Sequence, residues 1–398
     1  MTEQPRSPSW SRRILGEVLL RWGARLGLAW IALLTLVAVF APLLANTHPL
    51  LVEDAEGWHS PMLTHLTPAD TALLGAFFLA LVLLFSPGAP LWRFLSWLGG
   101  LALIGALSLV LVSPPALVVY EQYREAEARG EYQRVVRAPI PYSAKDYLRD
   151  YADTGLESPR SSAERLHWFG TDENGADVLS RMIHATRIAL SIGFIATGIA
   201  LVIGVILGGL MGYFSGIVDI IGMRLVEIFE AIPTLFLLLT FVAFFGRSLY
   251  LMMLIIGLTS WSGYARYVRA EFLRLRQQDF VQGAIASGLS LPSILFRHML
   301  PNGMAPILVA ASFGVASAIL AEATLSFLGL GLVDDPSWGQ MLNQAVQSST
   351  FNWWMAAFPG GAIFLTVFAY NLIGEALRDA VDPHSQSGRS APPVKAAA

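Results

Sequence analysis

Long apolar runs alternate along this chain with short polar connectors that carry arginine. Eight runs approach or exceed the length that spans about 30 Å of hydrocarbon as a helix. They cover residues 26–45, 69–86, 95–119, 188–213, 221–245, 248–265, 303–328 and 356–378. The pattern predicts an all-α polytopic membrane protein with about eight transmembrane helices. The run 69–86 is the shortest, and 248–265 ends in the polar string "TSWSGY". Residues 120–187 form a polar stretch rich in Tyr, Arg and Glu, predicted as a short helix over 121–134 followed by loop.

Composition agrees with that pattern. The chain is 55% hydrophobic and only 14% charged, against about 25% charged in soluble domains. Its net charge of −3 gives no reason to expect a nucleic-acid partner. With no cysteine, disulfides, thiol catalysis and Cys-ligated zinc are excluded. The first apolar run is longer than a signal-peptide core, so a retained anchor is expected.

Orientation follows the arginines that flank the runs. Arg6, Arg12, Arg13, Arg21 and Arg25 place the tail 1–25 in the cytoplasm. Eight crossings then put the connector 266–302, the turn with Arg93 and the tail 381–398 inside as well. Residues 120–187 fall outside. Their ten basic residues are offset by twelve acids, in a loop too long for the charge rule to govern.

Several chemistries are missing. A phosphate-binding loop ends in Gly-Lys-Ser/Thr, and neither Lys145 nor Lys395 sits in that context. No His is followed by Glu, so there is no HExxH zinc site. "GLSLP" at 288–292 fails as a nucleophile elbow because Pro292 stands where Gly is needed. No catalytic, cofactor-binding or metal-binding residues are assigned.

Inside the apolar runs, Gly204, Gly208 and Gly212 form overlapping GxxxG patterns, which let another helix approach closely. Glu227 and Glu230 lie beside Arg224 near one end of their run; Arg224 and Glu227, at i, i+3, can neutralise each other. Pro233 follows and should bend the helix. Glu322 sits deep in "SAILAEATLSFLGLG" without a local cation. It is a candidate for a translocation path or gate, together with Pro233, or for pairing across helices.

The most distinctive connector is "DFVQGAIASGLSLPSILFRHMLPN", 279–302. Asp279 is read as an N-cap and Gly288 as a C-cap of a short helix over 279–287. Ser290 and Pro292 open a second helix toward Met299. Small residues at 283, 284, 286 and 287 would let a partner surface approach. The spacing Gln282-Gly283-Ala284, then Gly288, then Leu300-Pro301 resembles the EAA loop of ABC-importer permeases. Gln282 and Gly283 replace the usual Glu and Ala.

"RHMLPN" at 297–302 is similar to the dipeptide/oligopeptide/nickel branch. "FGTDENGADVLSRMIHATRIAL" at 169–190, "VDIIGMRLVEIFEAIP" at 218–233 and "SFLGLG…PSWGQML" at 326–342 resemble its C-type subunit. The resemblance covers 169–380 and the first span.

The resemblance implies a six-helix permease core over 188–380, with 69–119 as an inserted helix pair within an N-terminal region 26–119. It implies a second permease subunit, two ATP-binding subunits that hold ATP and Mg, and an extracytoplasmic solute-binding protein. The coupling loop 266–302 would meet an ATPase subunit through Asp279, Gln282, Gly283, Ala284, Gly288, Arg297 and His298. The expected function is import of peptides or related small solutes through the cytoplasmic membrane, without enzymatic activity in this chain. The alternatives are nickel complexes or sugars as cargo, or a secondary transporter, which would predict ionisable coupling residues at mid-membrane.

Overall fold

The computed structural model describes residues 10–55, 57–87, 90–115, 118–148, 155–161, 165–332 and 335–381. The far ends of both predicted tails lie outside these. In chain order the first elements are helices α1 (Trp10–Leu20), α2 (Trp22–Val39) and α3 (Ala41–Leu44) and strands β1 (Leu51–Asp54) and β2 (Gly57–His59). Then come α4 (Pro61–Thr64), α5 (Pro68–Phe85), α6 (Pro90–Leu111), α7 (Glu121–Ala128), β3 (Arg134–Val136), α8 (Val178–Phe214) and α9 (Gly216–Ala231). The last are α10 (Thr234–Phe245), α11 (Leu249–Arg276), α12 (Asp279–Ala286), α13 (Leu300–Leu325), α14 (Trp338–Gln347) and α15 (Trp353–Val381). π-Helical segments Ser293–Met299 and Ser326–Leu330 flank α13.

Among the described residues, six helical spans are long and apolar enough to cross a membrane. The pair α9 and α10, bent by 80° at Ile232–Pro233, makes a seventh as one broken span. α11 is 28 residues long, but its C-terminal end "YARYVRAEFLRLR" is strongly charged. Each of the eight predicted runs therefore falls on helix, and the boundaries move for local reasons. α6 ends at Leu111, short of the predicted 119, ahead of Pro114 and Pro115, which cannot extend it. α8 begins at Val178, ten residues before the predicted 188, because Asp177 Oδ1 caps it by accepting from Ser180 N at 2.7 Å. The loop predicted to run to 187 is thus helical from 178 onward.

The helix predicted over 121–134 stops at Ala128, and the chain then enters a strand. β1 pairs antiparallel with β2 and with β3, giving the order β2-β1-β3. This small sheet and two isolated β-bridges, Ala45 with Ile140 and Thr171 with Asp177, are the β-structure among the described residues.

The chain divides into two compact units. The foot unit holds residues up to Ala32, Ala189–Leu332 and those from Gly361 onward. Its core is Val268, Phe272, Leu275, Val281, Ile294, Leu295, Met299 and Ile307, with a second cluster around Trp261, Tyr264 and Ala265. The sheet unit holds Leu33–Ile188 and Val333–Gly360. Its apolar clusters gather around Met341, Trp354 and Met355, and around Ala41, Ala45 and Ile183.

Candidate functional site

The connector between α11 and α13 is a folded foot. α11 ends at Arg276, and Gln278 adopts extended backbone (φ −77°, ψ 144°) as the N-cap of α12. Asp279 is therefore the first helical residue and not the cap, correcting the sequence reading. Its carboxylate still lies at the positive end of a helix dipole. At the other end Gly288 takes φ +71°, and the N–H groups of Gly288 and Leu289 reach the carbonyls of Ile285 and Ala284 at 3.0 and 3.2 Å. A left-handed residue closing the last turn in this way is what glycine supplies without steric cost.

The chain then turns into a helix at Leu291 whose middle widens into the π-segment 293–299. Pro301 has no N–H to return to the preceding turn. Asn302 Nδ2 instead donates to His298 O at 2.7 Å.

Val281, Ala284, Ile294, Leu295 and Met299 face inward onto Phe272 and Leu275 of α11 and Ile307 of α13. Burial of a side chain such as Val281 or Met299 contributes roughly 1.5–3 kcal/mol, so the foot is anchored rather than draped. Ala284 is only 8% exposed. It belongs to this core.

The outward face carries Asp279, Gln282, Gly283, Gly288 and Arg297, all exposed, with His298 half-buried. Gln282 Nε2 donates to Arg276 O at 2.7 Å and so bridges the turn. Exposed Phe280, Ile285, Leu289 and Phe296 share the foot. The i, i+3 pair Val281 and Ala284 marks which face turns inward and so which apolar groups are left outside.

Charged contacts stiffen the neighbourhood. Arg269 grips Asp219 with two hydrogen bonds, one of them 2.6 Å, and Arg276 Nη1 donates to Ser215 Oγ at 2.7 Å. Arg224 Nη1 meets Glu227 Oε2 at 2.5 Å, as the i, i+3 spacing predicted. Glu230 instead pairs with Arg266 of α11. The links to Arg266 and Arg269 cross between helices, so local spacing could not reveal them.

The other singled-out residues lie elsewhere in the foot unit. Pro233 stands at the 80° bend between α9 and α10. Glu322 is 2% exposed and accepts a 2.6 Å hydrogen bond from Ser326 Oγ, one turn along. Gly204, Gly208 and Gly212 lie against α11. A Cβ on them would meet Tyr264 Cβ at 2.5 Å, Ala265 O at 2.4 Å and Phe272 Cβ at 2.6 Å. The structure does not bring Glu322 or Pro233 into the foot.

The comparisons with known proteins assign this multi-pass helical chain to the transport permeases. Residues 204–386 match the model of the binding-protein-dependent transport system inner membrane component. The dipeptide transport system permease protein of Alkalihalophilus pseudofirmus is 38% identical over 238 residues, 60% of this chain and 78% of that one. The oligopeptide transport system permease protein of Escherichia coli K12 is 39% identical over 250 residues, covering 63% and 82%. The glutathione transport system permease protein of Pectobacterium atrosepticum is 39% identical over 249 residues, covering 62% and 81%. A solved methionine ABC transporter in an inward-facing conformation aligns with a TM-score of 0.41 at 16% identity, over 51% of this chain and 98% of that one.

The chain belongs to the family of binding-protein-dependent inner membrane components, the permease subunits of ABC importers. Within it the relatives are C-type permeases of peptide systems.

Proposed function

We propose that this chain is the C-type permease of an ATP-driven peptide importer and that the foot 276–302 couples it to an ATPase subunit. The supporting observation is the foot's build: an anchored core beneath an open outward face. A partner groove would receive Gln282, Gly283 and Gly288, bury Phe280, Ile285 and Leu289, and meet Asp279, Arg297 and His298 at its rim. The foot, both tails and the α5–α6 turn lie in the cytoplasm, and residues 120–177 lie outside, where a solute-binding protein delivers cargo. A second permease chain completes the pathway, and two ATP-binding subunits hold ATP and Mg. Closure of the ATPase pair shifts the permease between inward- and outward-open states only if its contacts with the foot differ between them. In this reading Pro233 and Glu322 belong to the moving path.

Gly283→Trp tests the coupling. A Cβ at 283 meets nothing within 4 Å, so the foot can carry the ring without repacking. Gly288 is unsuitable because its positive φ would strain any replacement. The Gly283→Trp chain should insert normally, while the assembled complex loses solute-stimulated ATP hydrolysis and uptake. Unchanged stimulation in that variant would sink the coupling role.

A further inference from the structure

Within the foot unit, α8, α11 and α13 line a half-open cavity of about 370 Å³. That is within the size range of small-molecule sites, roughly 300–1,000 Å³. Five hydroxyls line it, those of Thr197, Ser260, Tyr264, Tyr267 and Ser317, and no charged side chain does. Ser260, Tyr267 and Ser317 are exposed although they lie within long helices of a membrane chain. Ser317 Oγ donates to Phe313 O at 3.1 Å within its own helix and keeps its lone pairs to accept a further hydrogen bond. On the same turn of α13, Leu320 is exposed as a lipid-type residue.

Thr197 is 7% exposed, and its hydroxyl lies beside that of Tyr264 in the cavity wall. Small residues hold the space open. A Cβ on Gly314 would stand 1.5 Å from Tyr264 Oη, so only glycine leaves the tyrosine in place. Gly263, at the mouth, would meet nothing within 4 Å.

We infer that this cavity is a transit site that holds the amide backbone of a peptide through hydroxyls alone. The inference rests on the peptide-importer reading and deepens it. A hydroxyl both donates and accepts, so this wall can meet backbone N–H and C=O groups in any register. Because it carries no charge, it neither traps nor repels acidic or basic side chains. Discrimination among peptides is thereby left to other parts of the system.

The test uses the complete complex with its binding protein in proteoliposomes and trialanine as the probe. Thr197→Val removes the hydroxyl and keeps the shape; Gly263→Leu fills the mouth. Each should lower trialanine uptake by about fivefold or more, the equivalent of one lost hydrogen bond of about 1 kcal/mol. Thr197→Ser should restore it. Assembly with the partner chains, followed by size-exclusion chromatography, verifies folding.

A second measurement exploits the absence of cysteine from this chain. Ser317→Cys should react with a charged methanethiosulfonate faster than Leu320→Cys, and trialanine should slow it. Uptake unchanged in both cavity variants, or equal labelling at 317 and 320, overturns the site. A wild-type complex that imports neither trialanine nor dialanine overturns the peptide reading itself, and the transit site with it.

Discussion

In the foot unit helices meet at glycines, whereas in the sheet unit they are tied by buried charges. Gly204, Gly208 and Gly212 bring α8 against the backbone and Cβ atoms of α11, where nothing can give. The foot unit's ion pairs range from Arg269–Asp219, at 26% and 15% exposed, to Arg224–Glu227, at 72% and 46%. The sheet unit has surface pairs too, such as Arg129–Glu125 at 56% and 58%, but it also holds buried ones. Arg181–Asp172 is 3% and 5% exposed, and His167–Asp177 is 1% and 2%. Asp146, fully buried, accepts from Thr47 at 2.6 Å and from Arg124 at 2.7 Å. Arg187 reaches Asp70 at the start of α5 and also donates to Ala38 O at 2.5 Å at the end of α2. The lesson is one of solvent. Glycine packing suits a lipid-bathed bundle without a strong hydrophobic drive between helices. Polar networks suit a region of irregular chain whose backbone must be satisfied locally.

The largest expected effect breaks a polar tie. Arg187→Ala removes the cation paired with Asp70 and the donor to the Ala38 and Val39 carbonyls, leaving Asp70 only its bonds from Thr67, at about 3–5 kcal/mol. α5 should then become protease-accessible while α11 keeps its hydrogen-exchange protection; equal loss in both would erase the contrast.

Acid should also separate the units. His48 stacks on His65 at 3.8 Å, beside Tyr120 and Tyr123, and its Nδ1 bonds Asn46 Oδ1. Burial, and then the neighbouring His65, push its pKa down to about 4. The unfolded chain, near ~6.5, binds the proton first as pH falls. Stability is therefore present above about 6.5 and lost progressively toward pH 4, by up to about 3 kcal/mol. Hydrogen-exchange protection of β1, corrected for intrinsic rates, should fall over that window. His48→Phe should flatten the profile.

The smaller effects compare glycines. Gly208→Ala drives a Cβ to 2.4 Å from Ala265 O and should cost about 1–3 kcal/mol. Gly100→Ala, in the α5–α6 hairpin, meets only the Cδ2 tip of Leu79 at 2.4 Å. That tip can rotate away, so the change should be within about 1 kcal/mol. Thermal unfolding in detergent distinguishes the two.

The hairpin also shows how far the sequence could be read. Its apolar runs announced two helices, and Thr67-Pro68 with Asp70 at the third position forms a capping box, 2.8 Å from Thr67 N to Asp70 Oδ2. That Asp70 would meet Arg187, 117 residues later, had no local signature. The foot was legible for the same reason the hairpin was. Its Gly288 cap and its Leu300-Pro301 return are short-range chemistry. The inward turn of Ala284, the shift of the cap to Gln278 and the apolar docking groups were not read, because they depend on what α11 and α13 place beneath α12. The β1–β3 pairing escaped because β3 is three residues long and its partner lies some eighty positions earlier.

What the sequence determined by itself was whatever depends on neighbours along the chain. That includes which stretches cross a membrane, where prolines stop or bend them, and where a cap closes the foot. Hydrocarbon length, missing N–H groups and left-handed glycine act over a few residues. The tertiary structure alone decided which charges are buried together, which glycines meet unyielding backbone, and that five hydroxyls from three helices converge on one cavity. Those outcomes depend on contacts between residues far apart in sequence, which exist only once the helices have packed.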